Sequence, residues 1–267
     1  IFESPDFEIV QHRITSDEEV DVLVEGYVQA PKEYTSKRKV GRSALNHRRY
    51  LDSANYYKQK DLEKSIDFIA KSIANLGKRG NKTELSESLS ALGEIYAFHR
   101  QYDLAITNFK DALAARKSTK THLLLAQAYV NNKEFDKAAS ELTPFINVRN
   151  LTPSQRVTLY ETLGDANRGL SNFAKAEDFY REGLKIAEKN QISPKIIDLN
   201  SKIGDSYASQ DKLVEAEGFY ANSLNLSRAA APQRVVKENE KIADFYNEKN
   251  RFDEEIQLRK QSLDELK

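Results

Sequence analysis

The sequence predicts an all-α protein, a solenoid of antiparallel helix pairs. Its composition favours helices, because 31% of the 267 residues are charged and only 10 are Gly and 6 are Pro, which suits exposed helix surfaces and leaves few strand turns. Small anchor residues recur at intervals of 33 to 40 positions, the spacing of stacked helical hairpins. Large apolar residues follow these anchors at matching positions, so each repeat offers similar faces for packing.

The first 45 residues are expected to form an N-terminal extension with one helix. Ser16 and Glu19 form a capping-box pattern, and five apolar residues then follow the spacing of one helix face until Pro31; they are Val20, Leu23, Val24, Tyr27 and Val28. A strand is the alternative, because several of these residues are β-branched. The basic stretch from Lys32 to Arg49 lacks the interleaved aromatics of a nucleic-acid site, and we interpret it as a solvated linker that enters a helix.

Residues 46–267 are predicted to form five to six helical hairpins. The anchors of five copies are Gly93, Ala126, Gly164, Gly204 and Ala243, at separations of 33, 38, 40 and 39 residues. The approximate repeats are 46–85, 86–118, 119–156, 157–196, 197–235 and 236–267. A small anchor and an Ala on the second helix let two helices approach closely, and large residues fill the surrounding space.

The ends of several helices can also be predicted. Thr152, Pro153 and Gln155 combine a capping box with a proline in the first turn. Ser193 with Pro194 repeats the signal of a cap followed by proline. These prolines mark connections between hairpins, where the longer repeats place their additional residues.

The stretch from Leu89 to Ala112 resembles the tetratricopeptide repeat family. It carries Leu-Gly-x-x-Tyr around Gly93, an aromatic residue at the turn, and then Ala, Phe and Ala on the second helix. Good matches follow over 125–142, 163–180 and 203–220. The resemblance implies a right-handed superhelix whose concave groove, lined by the first helix of each hairpin, binds segments of other proteins.

Two repeats depart from the family pattern. Asn167 stands where a Tyr is expected, so that hairpin is predicted either to pack less tightly or to present a polar group. Glu255 and Arg259 replace the Ala and the aromatic residue of the last repeat. The last helix either caps the array with a polar face or continues it, and the atypical character of terminal repeats favours a cap.

The resemblance places a partner-binding groove on the first helices. Its expected residues lie just after each anchor or one turn before it, and Arg168 adds a positive charge; together they are Glu94, Gln127, Glu161, Asp165, Arg168, Asp205, Glu240 and Asp244. This set is mildly acidic, so a basic or amide-rich peptide is the expected ligand. Carboxylates that are merely solvated are the alternative. A carboxylate clamp that grips a chaperone tail is not expected, because the Lys and Asn residues that the family places there are mostly Glu, Asp and Ser.

An enzymatic function is not predicted. Four histidines without metal-ligand spacing are scattered along the chain: His12, His47, His99 and His122. A stretch that resembles a phosphate loop has the wrong glycine spacing and follows a helix, so we interpret it as a helix end and turn; it contains Gly77, Gly80, Lys82 and Thr83. No cofactor or metal is expected.

Charge and hydropathy limit the partners and the location. The 41 basic and 41 acidic side chains balance, so no overall field attracts nucleic acid or an anionic membrane. No apolar run could insert into a bilayer, and the absence of Cys fits either the cytoplasm or the periplasm. The chain begins at Ile1 without an initiator Met, from which we expect a processed protein or a fragment.

The sequence therefore predicts a non-catalytic scaffold that binds a peptide or a partner protein in its concave groove. By analogy with long repeats in larger proteins, the narrower expectation is the sensory or regulatory part of a bacterial signal transduction protein. The alternative is a structural scaffold that holds an assembly or a cell-envelope complex together. The oligomeric state is left open.

Overall fold

The computed structural model describes residues 40–76 and 81–264, and in these ranges every regular element is a helix. The predicted all-α fold is therefore confirmed. The helix expected near Val20 lies outside the described residues. The basic segment is described from Val40 onward, where it already forms the first helix.

The described helices belong to two compact units, and the chain divides between them after Asn132. Unit 1 contains five of them: α1 (Val40–Tyr57), α2 (Leu62–Leu76), α3 (Lys82–Phe98), α4 (Tyr102–Ala115) and α5 (Thr119–Asn131). Unit 2 contains seven: α6 (Phe135–Leu142), α7 (Pro153–Gly169), α8 (Phe173–Lys189), α9 (Ser193–Ala208), α10 (Leu213–Ala230), α11 (Val235–Glu248) and α12 (Phe252–Asp264). Short 3-10 helices at Thr143–Phe145 and Pro232–Arg234 follow α6 and precede α11.

Consecutive helices pack as pairs, and neighbouring pairs stack within each unit. In unit 1, α1 packs on α2 and α3 on α4, while α2 contacts α3 and α4 contacts α5. In unit 2 the pairs are α7 with α8, α9 with α10 and α11 with α12, joined by contacts of α8 with α9 and of α10 with α11. The second helices α2, α4, α8 and α10 therefore each bury one face in their own pair and another against the helix that follows.

The glycine anchors allow the close approach within a pair. A methyl group added at Gly93 would lie 2.6 Å from the ring of Phe109, and one added at Gly164 would lie 2.3 Å from the ring of Tyr180. At Gly204 the corresponding distance to Tyr220 is 2.7 Å. All three distances are below carbon–carbon contact, so the anchor residue must be small because an aromatic ring of the second helix occupies the space.

The turns inside four of the pairs share one backbone conformation. Each of these turns contains a non-glycine residue in the left-handed region, with φ between 56° and 61°, and these residues are Arg100, Ser171, Asp211 and Asn250. The next residue donates its backbone N–H to a carbonyl of the preceding helix, as Asn172 does to Asn167 at 2.8 Å. This Schellman-type arrangement satisfies the last carbonyls of the helix.

One of the two predicted helix caps is correct. Thr152 Oγ1 accepts a hydrogen bond from the N–H of Gln155, whose side chain accepts in return from the N–H of Thr152. Ser193 is not a cap, because α9 begins at Ser193 itself and Ile192 takes the cap position without a side-chain hydrogen bond. Pro194 lies in the first turn, where its missing N–H costs nothing.

The structure contradicts one of the two outcomes expected at Asn167 and part of the outcome expected for the last helix. Asn167 is 3% exposed and its amide donates to the carbonyl of Leu163 at 2.8 Å, so it presents no polar group to solvent. The polar face expected on the last helix is also wrong in part. Phe252, Ile256 and Leu263 are exposed on α12, so this helix displays apolar side chains.

We expect Gly164→Ala and Gly218→Ala to change stability in opposite directions. The first places a methyl group inside the Tyr180 ring and is expected to cost about 1–3 kcal/mol. Gly218, on α10, has no atom within 4 Å of the added methyl, so alanine is expected to gain about 0.5–1 kcal/mol through helix propensity. Urea unfolding of both variants tests this contrast. Equal midpoints would contradict the role of the ring contact.

Candidate functional site

The structure brings four of the eight predicted site residues into one charged network on unit 2. Glu161, Asp165 and Arg168 lie on α7 and Asp205 lies on α9, while lysines from the following first helices connect them. We call this network the ladder; it consists of Glu161, Asp165, Arg168, Lys195, Lys202, Asp205 and Lys241. The first helices of neighbouring pairs thus meet through charged side chains as well as apolar ones.

The first step of the ladder joins α7 to α9. Lys202 Nζ donates to Glu161 Oε1 at 2.9 Å and to Asp165 Oδ2 at 2.7 Å. Lys195 Nζ donates to the other oxygen of Glu161 at 2.6 Å. Glu161 is 6% exposed, and a carboxylate so deeply buried needs such partners to stay ionised.

The second step repeats the geometry between α9 and α11. Lys241 Nζ donates to Asp205 Oδ2 at 2.8 Å and to Ser201 Oγ at 2.6 Å. Ser201 takes the place that Glu161 has in the first step, so this lysine meets one carboxylate instead of two. Arg168 approaches Asp205 from α7, at 3.6 Å.

Tyrosines of the second helices hold the ladder aspartates from the other side. Tyr180 donates its hydroxyl to Asp165 Oδ1 at 2.7 Å, and Tyr220 donates to Asp205 Oδ1 at 2.8 Å. These are the rings that pack on Gly164 and Gly204. The aspartate after each of these glycines is therefore oriented by the ring that the glycine accommodates.

Burial and charge act in opposite directions on the pKa values of the ladder. Burial alone would raise the pKa of Glu161, but the ammonium groups of Lys202 and Lys195 outweigh it and hold the pKa below its ordinary value. Burial alone would lower the pKa of Lys202, but the negative charges of Asp165 and Glu161 outweigh this effect and hold the pKa above its ordinary value. Both groups therefore stay charged at neutral pH.

The hydroxyls of the two tyrosines are protonated for a related reason. Burial, followed by the negative charge of Asp165, raises the pKa of Tyr180. Burial and the charge of Asp205 do the same for Tyr220. Each hydroxyl therefore remains a hydrogen-bond donor to its aspartate.

The other four predicted site residues lie outside the ladder. Glu94 on α3 contacts Lys120 at 2.9 Å and Lys58 at 3.9 Å, and the half-buried Gln127 lies on α5, also in unit 1. Glu240 is exposed on α11. Asp244 follows the anchor Ala243, is 70% exposed and contacts Arg259 at 3.1 Å.

The charge of this face differs from the acidic surface expected from the first-helix residues. Lysines of the next pair offset Glu161, Asp165 and Asp205. The ladder therefore carries nearly balanced charge and displays the 41% exposed Arg168, while excess negative charge lies toward Glu240 and Asp244.

Sequence reasoning did not identify Lys202 and Lys241 as partners of the predicted carboxylates. Each stands two residues before an anchor, Gly204 or Ala243, so an alignment of the repeats would have placed them together. It also treated Tyr180 and Tyr220 as packing residues alone, because a packing pattern does not distinguish Tyr from Phe. The residue directly after the glycine was the available signal. An aspartate follows the glycines that pack on Tyr180 and Tyr220, whereas Glu94 follows the glycine that packs on Phe109.

Within residues 40–76 and 81–264, no group of three or more His, Asp or Glu side chains could hold a metal ion. No helix in those ranges is long and apolar enough to cross a membrane.

We expect Lys202→Met to destabilise the chain by about 2 kcal/mol, because it leaves Asp165 without its ammonium partner and the pair is only partly exposed to solvent. Lys185→Met is the matched control, since Lys185 is exposed on α8 and forms no ion pair in the part of the chain that the structure describes. The control is expected to change stability by less than about 0.5 kcal/mol. Urea unfolding measures both, and equal losses would argue against the ladder.

The stabilisation from Glu161 is expected to disappear in acid. Its pKa is lowered by folding from 4.5, so the unfolded chain binds the proton first as the pH falls. The stabilisation is thus complete above 4.5 and is lost below it, down to the pKa of the folded state. The difference in unfolding free energy between the unaltered chain and Glu161→Gln should shrink over that range. A difference that is constant with pH would contradict this assignment.

Comparisons with known proteins agree with the repeat architecture. Residues 157–190, which contain most of α7, all of α8 and the carboxylates of the first step, match the family model described as tetratricopeptide repeat. A search of curated proteins gives no match.

Solved structures share the fold at low sequence identity. Aspartyl phosphate phosphatase F from Bacillus subtilis superposes with a TM-score of 0.64 at 13% identity, over 85% of this chain and 71% of that one. A Rap protein complexed with competence and sporulation factor gives 0.58 at 14% identity, over 84% and 75%. Kinesin light chain TPR-like repeats from Podosopora anserina give 0.61 at 17% identity, over 74% and 100%. The resemblance of this chain to tetratricopeptide repeat proteins is therefore confirmed, at the level of the fold and of one matched repeat.

Proposed function

We propose that this chain is a non-catalytic scaffold that binds a segment of another protein along the first helices of unit 2, α7, α9 and α11. The observation that carries the proposal is the ladder. It fixes charged side chains at equivalent positions of successive first helices, and those positions are separate from the glycine and aromatic residues that pack the pairs.

A fixed array of charges suits recognition of a polypeptide. The ladder side chains are already held by hydrogen bonds, so a ligand does not have to order them, and binding avoids that entropic cost. Arg168 can donate to a carboxylate or a backbone carbonyl. Glu240 and Asp244 can accept from a basic side chain.

We further propose that the preferred ligand carries a basic side chain opposite Glu240 and Asp244 and an acidic or carbonyl group opposite Arg168. This refines the basic peptide expected from sequence, because the carboxylates inside the ladder are already neutralised by lysines. Charge complementarity of this kind sets orientation and specificity more than it sets affinity.

A regulatory role in a bacterial signalling protein is the narrower proposal. Its support is structural likeness alone: one neighbour is a Rap protein complexed with competence and sporulation factor, and another is the Bacillus subtilis phosphatase. The alternative of a purely structural scaffold lacks a specific observation in its favour.

Selection of peptides from a random display library tests the binding proposal. The selected peptides are expected to be enriched in Lys or Arg. Their affinity for the double variant Glu240→Ala/Asp244→Ala is expected to fall about tenfold at low salt, because two exposed carboxylates are lost. Fluorescence anisotropy with a synthetic selected peptide gives the dissociation constants.

Glu182→Ala is the matched control for that experiment. Glu182 is an exposed carboxylate of unit 2 that lies on the second helix α8, so its loss is expected to leave affinity unchanged. Arg168→Ala should weaken peptides that carry an acidic group. A library that yields no binder, or equal affinities for all variants, would overturn the proposed groove.

A further inference from the structure

Helix α12 carries an apolar stripe on its exposed surface. Phe252 is 52% exposed, Ile256 is 50% exposed and Leu263 is 62% exposed. At 100° per residue these three positions fall within about 40° of one another around the helix. They therefore form one stripe along most of the length of α12.

The corresponding face of α10 shows what such a stripe does in this fold. Leu213 and Leu224 stand on α10 where Phe252 and Leu263 stand on α12, with the same offset that separates Gly204 from Ala243. Leu224 is buried and belongs to the core cluster that includes residues of α11, with Leu213 packed against that cluster. This face of a second helix is thus a packing surface for another helix.

Two unpaired charges lie beside the stripe on one flank. Asp253 and Lys260 are exposed, and neither forms an ion pair within the described residues, where Glu254 pairs with Arg251 and Glu255 with Arg259. Helical spacing places Asp253 and Lys260 on the same side of the stripe, about 20° apart around the axis. The acidic member lies near the start of α12 and the basic member nearer its end.

We propose that two copies of this chain associate through α12, which pairs with α12 of the second copy in an antiparallel arrangement about a two-fold axis. The apolar stripes cover each other. Asp253 of each copy contacts Lys260 of the other.

The symmetry of the arrangement follows from the positions of the charges. A two-fold axis perpendicular to both helices brings the same flank of each copy together and reverses their directions. The midpoint between Asp253 and Lys260 lies beside Ile256, so Ile256 sits close to the axis and meets its own counterpart. The stripe and the flanking charges are thus complementary to themselves, which favours a second copy over an unrelated helix.

The contact is small, so the dimer is weak. One pair of helices buries less surface than the roughly 1,200–2,000 Å² of a stable complex. Association is therefore expected to depend on concentration, with monomer at the lower end of the range and dimer at the upper end.

Sedimentation velocity over a wide range of protein concentration tests the proposal. The unaltered chain is expected to shift from monomer to dimer, and Ile256→Glu is expected to remain monomeric because it buries two carboxylates at the axis. Val214→Glu is the matched control, since Val214 is a 79% exposed apolar residue on α10 of the same unit. The control is expected to dimerise like the unaltered chain, and circular dichroism verifies that both variants keep their helices.

Charge reversal gives a second readout that does not depend on the loss of an apolar residue. Asp253→Lys and Lys260→Glu should each weaken self-association, because each places like charges opposite one another. A mixture of the two variants should dimerise again, because each then offers the charges that the other requires.

The proposal is overturned by a chain that stays monomeric at every concentration, by an Ile256→Glu variant that still dimerises, or by a mixture that fails to associate. The last two outcomes would instead indicate that another partner, such as a helix of a different protein, covers the apolar stripe.

Discussion

The contact between a glycine of the first helix and an aromatic ring of the second is the constraint on which the helix pairs depend. Gly93, Gly164 and Gly204 each leave space that a ring fills, and the ring then sets the distance between the two helices. Because every pair stacks on its neighbour, an error in that distance would be passed to the next interface. In these three pairs, a residue with no side chain therefore determines how closely the two helices approach.

The same contact extends from the core to the surface. Tyr180 and Tyr220 pack on the glycines and use their hydroxyls to orient the next residue, Asp165 or Asp205. Lysines from the following first helix then bind the free carboxylate oxygens. Core packing, aspartate orientation and the charge of the proposed binding face are thus linked through one tyrosine side chain in each of these two pairs.

The helices and their pairing could be predicted from sequence because they depend on periodic patterns of small and large residues. The capping box at Thr152 was predictable for a local reason, since its partners are three residues apart. The cap at Ser193 was not, because the helix begins one residue earlier than the proline signal suggests. The left-handed turn residues were also hidden, since Arg100, Ser171 and Asp211 are not glycine and their conformation is imposed by hydrogen bonds to the preceding helix.

The first-helix positions of the candidate residues could be predicted from sequence, but their charged partners could not. All eight lie on first helices, and four of them, Glu161, Asp165, Arg168 and Asp205, belong to one network. Their electrostatic character depends on Lys195, Lys202 and Lys241, whose contacts span 34 to 41 residues. Contacts between residues so far apart in sequence form only when neighbouring pairs stack, and the pattern of a single repeat does not predict them.

The ladder also bears on how unit 2 unfolds. Glu161 and Asp165 belong to one helix pair and their ammonium partners to the next, so these carboxylates lack their partners when the α7–α8 pair stands alone. Opening the α9–α10 pair by itself would remove Lys202 and leave Glu161 and Asp165 facing each other with reduced compensation. Partial unfolding therefore carries an electrostatic penalty in the pair that remains folded, and this penalty makes the stacked pairs of unit 2 unfold together.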